Sequence, residues 1–288
     1  MKSLGPVLTV VAALLALWYA AAVVMNAQWT YDQAERAGTE VTLSELLADT
    51  MTQRRPKLPA PHQVLSELKK TVIDTKVTSK RSLVYQASIT LGATLTGFLT
   101  GTLLGIALAV AVVRSRVMEL SVTPWAIISQ TIPIVALAPM IVVLSSRIGI
   151  EGRLIPKTVI AAYLSYFPVF VSMVKGLRSP DAMQLDLLRT YGAAPGQVFR
   201  KLRLPASLPY FFAAMKISMA ASLVGVIVAE LPTGAVQGLG SRLLIGSQNG
   251  QPLMIWAALV VASALGAGLI LMVGLLERLL GRMMGVRA

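Results

Sequence analysis

Residues 181–230 read DAMQLDLLRTYGAAPGQVFRKLRLPASLPYFFAAMKISMAASLVGVIVAE, and the two halves of this stretch have opposite solubility. The first is polar and basic, with Asp186, Arg189, Arg200, Lys201 and Arg203. The second, residues 204–228, is apolar over a length that crosses a hydrocarbon layer of about 30 Å. Gly192, Pro195-Gly196, Pro205 and Pro209 punctuate the stretch, as in short helices meeting at turns. Gly192 permits a sharp turn or a close backbone approach that a Cβ would block. Residues 183–190 are expected to form a short amphipathic helix. It would offer Leu185, Leu187 and Leu188 to a partner and keep Asp186 and Arg189 in water.

The whole chain has the composition of a polytopic membrane protein. Of its 288 residues, 55% are hydrophobic and 14% charged, with a mean hydropathy of +0.70. A formal charge of +13 would suggest nucleic acid in a soluble domain. Here the bases cluster beside apolar runs, as the positive-inside rule expects, so no nucleic-acid partner is implied. The chain has no cysteine, which excludes disulfides, thiolate chemistry and cysteine metal sites. Its single histidine, His62, lies in a proline-rich polar stretch and is read as a solvated loop or helix-start residue. No catalytic constellation and no metal site are expected.

Outward from the opening stretch, hydropathy gives six spans. Residues 7–25 form an apolar run of about nineteen residues, right for a retained first helix. A signal peptide with small residues at 20–22 is the competing reading. Residues 28–82 are an external polar segment, in which Val64, Leu65, Leu68, Val72 and Ile73 recur at helical spacing. That helix either lies at the membrane interface or packs on the protein, and the pattern leaves both open.

The second span covers 84–113, with Gly97, Gly101 and Gly105 four apart, a stripe assigned to helix packing. The third, 120–144, carries Pro124, Pro133 and Pro139, so its freed carbonyls should face the bundle interior. The fourth covers 155–174, the fifth ends at Glu230, and the sixth covers 252–276. Between the last two, Gly234, Gly238, Gly240, Gly246 and Gly250 suggest a packed external or re-entrant loop rather than a plain helix.

Lys2, Arg114, Arg116, Lys175, Arg178, Arg189, Arg200, Lys201, Arg203, Arg278, Arg282 and Arg287 then fall on the cytoplasmic side. Only Arg147, Arg153, Lys157 and Arg242 fall in the two short external loops, which places both termini inside.

The spacing Asp186-Leu187-Leu188, three residues, Gly192, nine residues, Leu202, one residue, Leu204-Pro205 resembles the EAA loop of ATP-binding-cassette (ABC) importer permeases. Gly192, Leu204 and Pro205 match that pattern outright. Asp186 stands for its Glu, Leu187 and Leu188 for its alanines, and Leu202 for its Ile. A second stretch, Ile132-Pro133, Ala136 and Pro139, is similar to the nitrate/sulfonate/taurine group of these permeases. The resemblance implies an all-α fold of the type I importer kind, with a first helix (1–27), the external segment (28–82) and a five-helix core (83–288). The core would carry a cytoplasmic coupling loop at 181–205, including Ala193, that docks on the ATPase.

The implied mechanism is alternating access in the inner membrane of a bacterium. A periplasmic or lipid-anchored binding protein delivers a small solute. The implied assembly holds two ATPase subunits, which carry ATP and Mg, and two permease copies. A homodimer is expected, and a heterodimer with a related permease stays open. No G-x-x-x-x-G-K-[ST] stretch occurs, so ATP and Mg are not expected on this chain.

Candidate pathway residues are Ser129, Gln130 and Thr131 beside the third-span prolines, Ser165 and Tyr166 in the fourth span, and Ser218 and Ser222 in the fifth. For each, an interhelical hydrogen bond or small-residue packing is the competing reading. Glu230 is a candidate for the external gate or a partner of Arg242. The solute would be a sulfonate, nitrate or related organic anion, or a pyrimidine-like precursor. A secondary transporter working without an ATPase is the alternative, although it would call for internal repeats and a mid-membrane carboxylate.

Overall fold

An apolar run in lipid has no water to satisfy its N–H and C=O groups, so the spans must close their hydrogen bonds internally. The computed structural model describes residues 4–147, 154–231 and 237–283, and every regular element among them is helical. In order these are α1 (Leu4–Ala37), α2 (Leu43–Thr52), α3 (Pro61–Leu68) with a π-helical turn (Lys69–Asp74), α4 (Leu83–Arg114), α5 (Arg116–Ser129) and α6 (Ile134–Arg147). There follow α7 (Leu154–Leu177), α8 (Ala182–Thr190), α9 (Pro195–Val198) with a second π turn (Phe199–Arg203), α10 (Leu204–Glu230), α11 (Leu239–Gln248) and α12 (Pro252–Met283). Among the described residues, five helices are long and apolar enough to cross a membrane, and six spans result if the bent pair α5–α6 counts as one.

That pair corrects the expected third span. Instead of one kinked helix, two helices meet at 100°. Pro133 has no N–H to continue α5, and the amides of Gln130, Thr131 and Ile132 fall back on carbonyls three residues earlier. Pro133's own carbonyl then starts α6 by accepting from Ala136 and Leu137. Pro124 and Pro139 lie inside α5 and α6 and do not break them.

The glycine-rich loop expected before the last span is also corrected. Residues 239–248 are helical, and Gly240 and Gly246 each sit where a neighbour leaves no room for a side chain. A Cβ on Gly246 would lie 2.7 Å from Ile255 Cγ1. Gly234, with residues 148–153 and Arg287, lies outside the described residues.

The chain divides into two compact units. One comprises Met1–Gln86 and Ser241–Ala262. Here α1 continues past the expected boundary at residue 27, because α2 and α3 fold back to cover its polar extension. Asn26 exchanges two bonds with the Leu58 backbone (2.8 and 3.1 Å), Thr30 donates to Asp49 (2.7 Å), and buried Gln53 joins Thr30 and Asp49. Trp18 donates to Pro59 O at 3.0 Å and packs on Trp256.

Thr42 and Glu45 cap α2 reciprocally, and the Thr42 hydroxyl and N–H hold the Glu45 carboxyl below the usual carboxylate range. The amphipathic segment at 64–73 forms. Val64 is buried on the protein, while Leu65 and Ile73 point outward, so it shows features of both readings. His62 sits in the first turn of α3, contacting Tyr19 and the Met51 carbonyl.

The second unit comprises Ala87–Gly240 and Ser263–Ala288. Its centre is α7, gripped by α4 and α10. The stripe of Gly97, Gly101 and Gly105 lies directly on α7. A Cβ at Gly97 would overlap Ala161, one at Gly101 would overlap Ser165 and lie 2.7 Å from Ala162 O, and one at Gly105 would lie 2.6 Å from Tyr166 O. On α10's side, a Cβ on Gly225 would lie 3.2 Å from Ala161 Cα, and one on Gly176 of α7 would lie 2.9 Å from Ser207 Cα. The core about Ala109, Val112, Tyr166, Val169, Phe170, Met173 and Ala214 joins α4, α7 and α10. Leu269 and Val273 of α12 pack with Phe98 and Met219.

Gly101→Ala should therefore destabilise the chain by about 1–3 kcal/mol through overpacking. Gly92→Ala, with nothing within 4 Å of the new methyl, should be neutral or slightly stabilising. Thermal unfolding of the two detergent-purified variants against wild type checks the contrast.

Candidate functional site

The loop at 181–205 is a helix, a glycine turn and a second helix that runs into a span. Asp181 precedes α8, and its carbonyl accepts from Leu185 N. At the other end Gly192 adopts φ +67°, which a side chain would disfavour. The Gly192 amide bonds to Arg189 O (2.9 Å) and the Ala193 amide to Leu188 O (3.0 Å). These two bonds form a Schellman motif, which satisfies the last carbonyls of α8 and reverses the chain. Nothing lies within 4 Å of a Cβ at Gly192, so its requirement is conformational rather than steric.

After the turn, Pro195 opens α9, where its missing N–H costs nothing, and the Gln197 side chain caps the Ala194 amide at 3.0 Å. The π turn closes with the Leu204 amide on Phe199 O, just before Pro205, which has no amide to offer. Pro195–Glu230 is thereby one helical run of 36 residues.

The exposed apolar face of α8 is Met183, Leu187 and Tyr191 (83, 57 and 79% exposed), at i, i+4 and i+8. Of the three leucines expected outward, only Leu187 fully is. Leu185 and Leu188 are half-buried, because their side of the helix faces its own protein. Met183 and Tyr191 lie outside the spaced motif, so the pattern gives no sign of them. Asp186 pairs with Arg189 at 3.0 Å on the wet face. Leu204 and Pro205 are exposed, and Leu202 is half-buried. A cavity of about 620 Å³ lies between the loop and the end of α4, lined by Val113, Arg114, Leu185, Arg189, Phe199 and Arg203 among others. Arg114 stacks over the Phe199 ring at 4.8 Å.

The pathway candidates separate into two groups. Ser165, Ser218 and Ser222 are fully buried, and their hydroxyls are taken by backbone carbonyls: Ser218 donates to Ser165 O, Ser222 to Thr94 O (both 2.9 Å), and Ser165 to Gly97 O (3.3 Å). This is the competing, interhelical reading, and within this chain they line no open space. Ser129, Gln130 and Thr131 sit at the α5–α6 break, where Gln130 and Thr131 are exposed. Tyr166 is buried but reaches Ser129 Oγ at 2.5 Å, and Tyr163 donates to Ser129 O.

Glu230, fully buried, pairs with Lys157 Nζ at 2.9 Å, where the sequence reading offered Arg242. Arg242 donates instead to the Lys80 carbonyl. Lys157, expected in an external loop, lies inside the fold. The first turn of α7 buries it, and its position just after Ile155-Pro156 in an apolar run was the available signal.

Residues 101–285 match the family described as binding-protein-dependent transport system inner membrane component, and the chain belongs to that family. Among curated relatives it is 34% identical to the riboflavin transport system permease protein RibX of Chloroflexus aurantiacus, over 69% of this chain and 73% of that protein. It is 31% identical to a probable ABC transporter permease protein of Haemophilus influenzae, over 51% of this chain and 58% of that protein. It is 32% identical to the formylaminopyrimidine transport permease protein ThiX of Halalkalibacterium halodurans, over 52% and 57%. The matches thus span little more than half of two of these relatives and about three quarters of the third.

The fold is that of a chain of the MetNI methionine ABC transporter in an inward-facing form. The TM-score is 0.55 at 21% identity, covering 68% of this chain and 94% of that one. A multi-pass, all-α membrane protein of the EAA-loop permease family is therefore in hand.

Gly192→Val should strain the turn by about 1–2 kcal/mol, and Gly192→Asn by clearly less, since Asn tolerates the left-handed region. Limited proteolysis of the purified chain should show faster cleavage near residue 192 in the Val variant only.

Proposed function

We propose that this chain is the membrane permease subunit of an ATP-driven importer, and that α8 and the turn at Gly192 form its coupling surface. One observation carries the reading. An apolar stripe of Met183, Leu187 and Tyr191 is held outward on a short helix whose return leg is continuous with a span. An ATPase subunit that grips the stripe would move α10 with it. The chain itself does no covalent chemistry, and ATP and Mg are held by that partner. Two permease copies, two ATPase subunits and an external solute-binding protein complete the assembly. It sits in the inner membrane of a bacterium, with both termini cytoplasmic.

The solute is a small organic molecule delivered from outside. The names of two relatives, a riboflavin and a formylaminopyrimidine permease, favour a heterocyclic compound. A sulfonate is the second reading, from a 27% identical putative aliphatic sulfonates permease of Bacillus subtilis.

Co-purification tests the proposal. An ATPase should accompany the tagged wild-type chain from its own membranes. Leu187→Asp, a change on an exposed side chain, should lower the ATPase recovered at least about tenfold, the effect of ~1.4 kcal/mol at an interface, with the melting temperature unchanged. If both chains purify alone and behave alike, the importer reading fails and a secondary transporter replaces it.

A further inference from the structure

Among the described residues of the second unit, Lys157 and Glu230 are the one pair of opposite charges that meets in the interior. Its side chains are 4% and 0% exposed. Glu230 Oε1 accepts from Lys157 (2.9 Å) and Thr90 (3.0 Å), and Oε2 accepts from the Gly240 amide (2.8 Å) and Thr90 (3.1 Å). Lys157 gives a second bond to Gln237 O at 3.1 Å, and the Leu239 amide donates to Thr90 Oγ1 at 2.9 Å. Four chain segments thus converge on one carboxylate: α4, the start of α7, the end of α10 and the start of α11.

The glycines around it leave no spare volume. A Cβ at Gly238 (φ +119°) would overlap the carboxylate, and one at Gly240 would lie 2.7 Å from Glu230 Cβ. Parting the pair would therefore strand two buried charges without water, the arrangement a low-dielectric interior tolerates least.

We propose that Lys157 and Glu230 are positioning residues for transport, a clasp that stays shut and makes α7 and α10 move as one body when the coupling loop is pushed. The other end of the same helix pair is closed by Gly176 against Ser207, and the middle by the Ser218 bond to Ser165 O. With both ends and the middle fixed, displacement at residue 204 becomes rotation of the pair rather than sliding of α10 past α7. The pair has no open face to offer a solute, and a gate that opened there would have to separate the charges. The inference rests on the coupling reading above for its role in transport, but not for the existence of the clasp.

Two measurements test it. Lys157→Met and Glu230→Gln each leave one buried group unmatched. Each should lower the melting temperature of the purified complex by roughly 6 °C or more, whereas the double variant, with no charge left, should return to within about 3 °C of wild type. Single variants that melt with the wild type, or a double variant no better than the singles, would overturn the clasp.

The natural absence of cysteine allows spin labels at Val159→Cys of α7 and Val224→Cys of α10, both exposed positions. The intrachain distance should be the same in the nucleotide-free and the ATP-vanadate-trapped complex. A distance that changes with nucleotide would show that the helices part and would sink the proposal. Should no ATPase co-purify, the importer reading falls by itself, and the melting series still decides whether the pair is a clasp.

Discussion

Close backbone approach between α4, α7 and α10 is the constraint on which the second unit depends. In lipid, apolar side chains gain nothing by leaving hydrocarbon for one another, so helices associate through packing and interhelical hydrogen bonds. The glycines at 97, 101 and 105 bring α4 against α7 so tightly that hydroxyls reach across to the neighbouring backbone. Ser165, Ser218 and Ser222 then tie three helices together, each hydroxyl donating to a backbone carbonyl of a neighbouring helix. A core of this kind leaves its helices little room to shift.

Proline placement sets where a helix breaks. Pro133 turns the chain through 100° between α5 and α6, and the exposed Gln130 and Thr131 gather at the bend. Ahead of Pro205 and Pro209 the chain instead inserts a π turn and keeps going, so the loop helix and the span remain one rod. The same residue type therefore breaks one span and spares another. The difference lies in whether a neighbouring carbonyl and amide can be re-paired within the helix.

The buried pair of Lys157 and Glu230 works by the same economy of space. A carboxylate without water must be met on all sides, and here a lysine, a threonine and a backbone amide do so, while glycine keeps the surrounding chain close enough. Such an arrangement contributes less to net stability than its geometry suggests, because both charges lose their hydration. Its contacts join the start of α7 and the end of α10 to α4 and the start of α11.

Hydropathy, charge bias and the Asp186-to-Pro205 spacing determined by themselves that this is a multi-pass helical protein, where its long spans lie and where the loop sits between two of them. Those signals are local: a span is about twenty consecutive apolar residues, and a turn needs its glycine at one position. Partnership was decided only by the tertiary structure. Glu230 could be read as an acid in need of a cation, but Lys157 lies 73 residues away in sequence, and only the packing of α7 on α10 brings them together. Likewise, no sequence period distinguishes a serine facing a pathway from one bonded to the next helix. Within this chain the hydroxyls of Ser165, Ser218 and Ser222 meet backbone carbonyls of neighbouring helices, and those atoms belong to another part of the sequence.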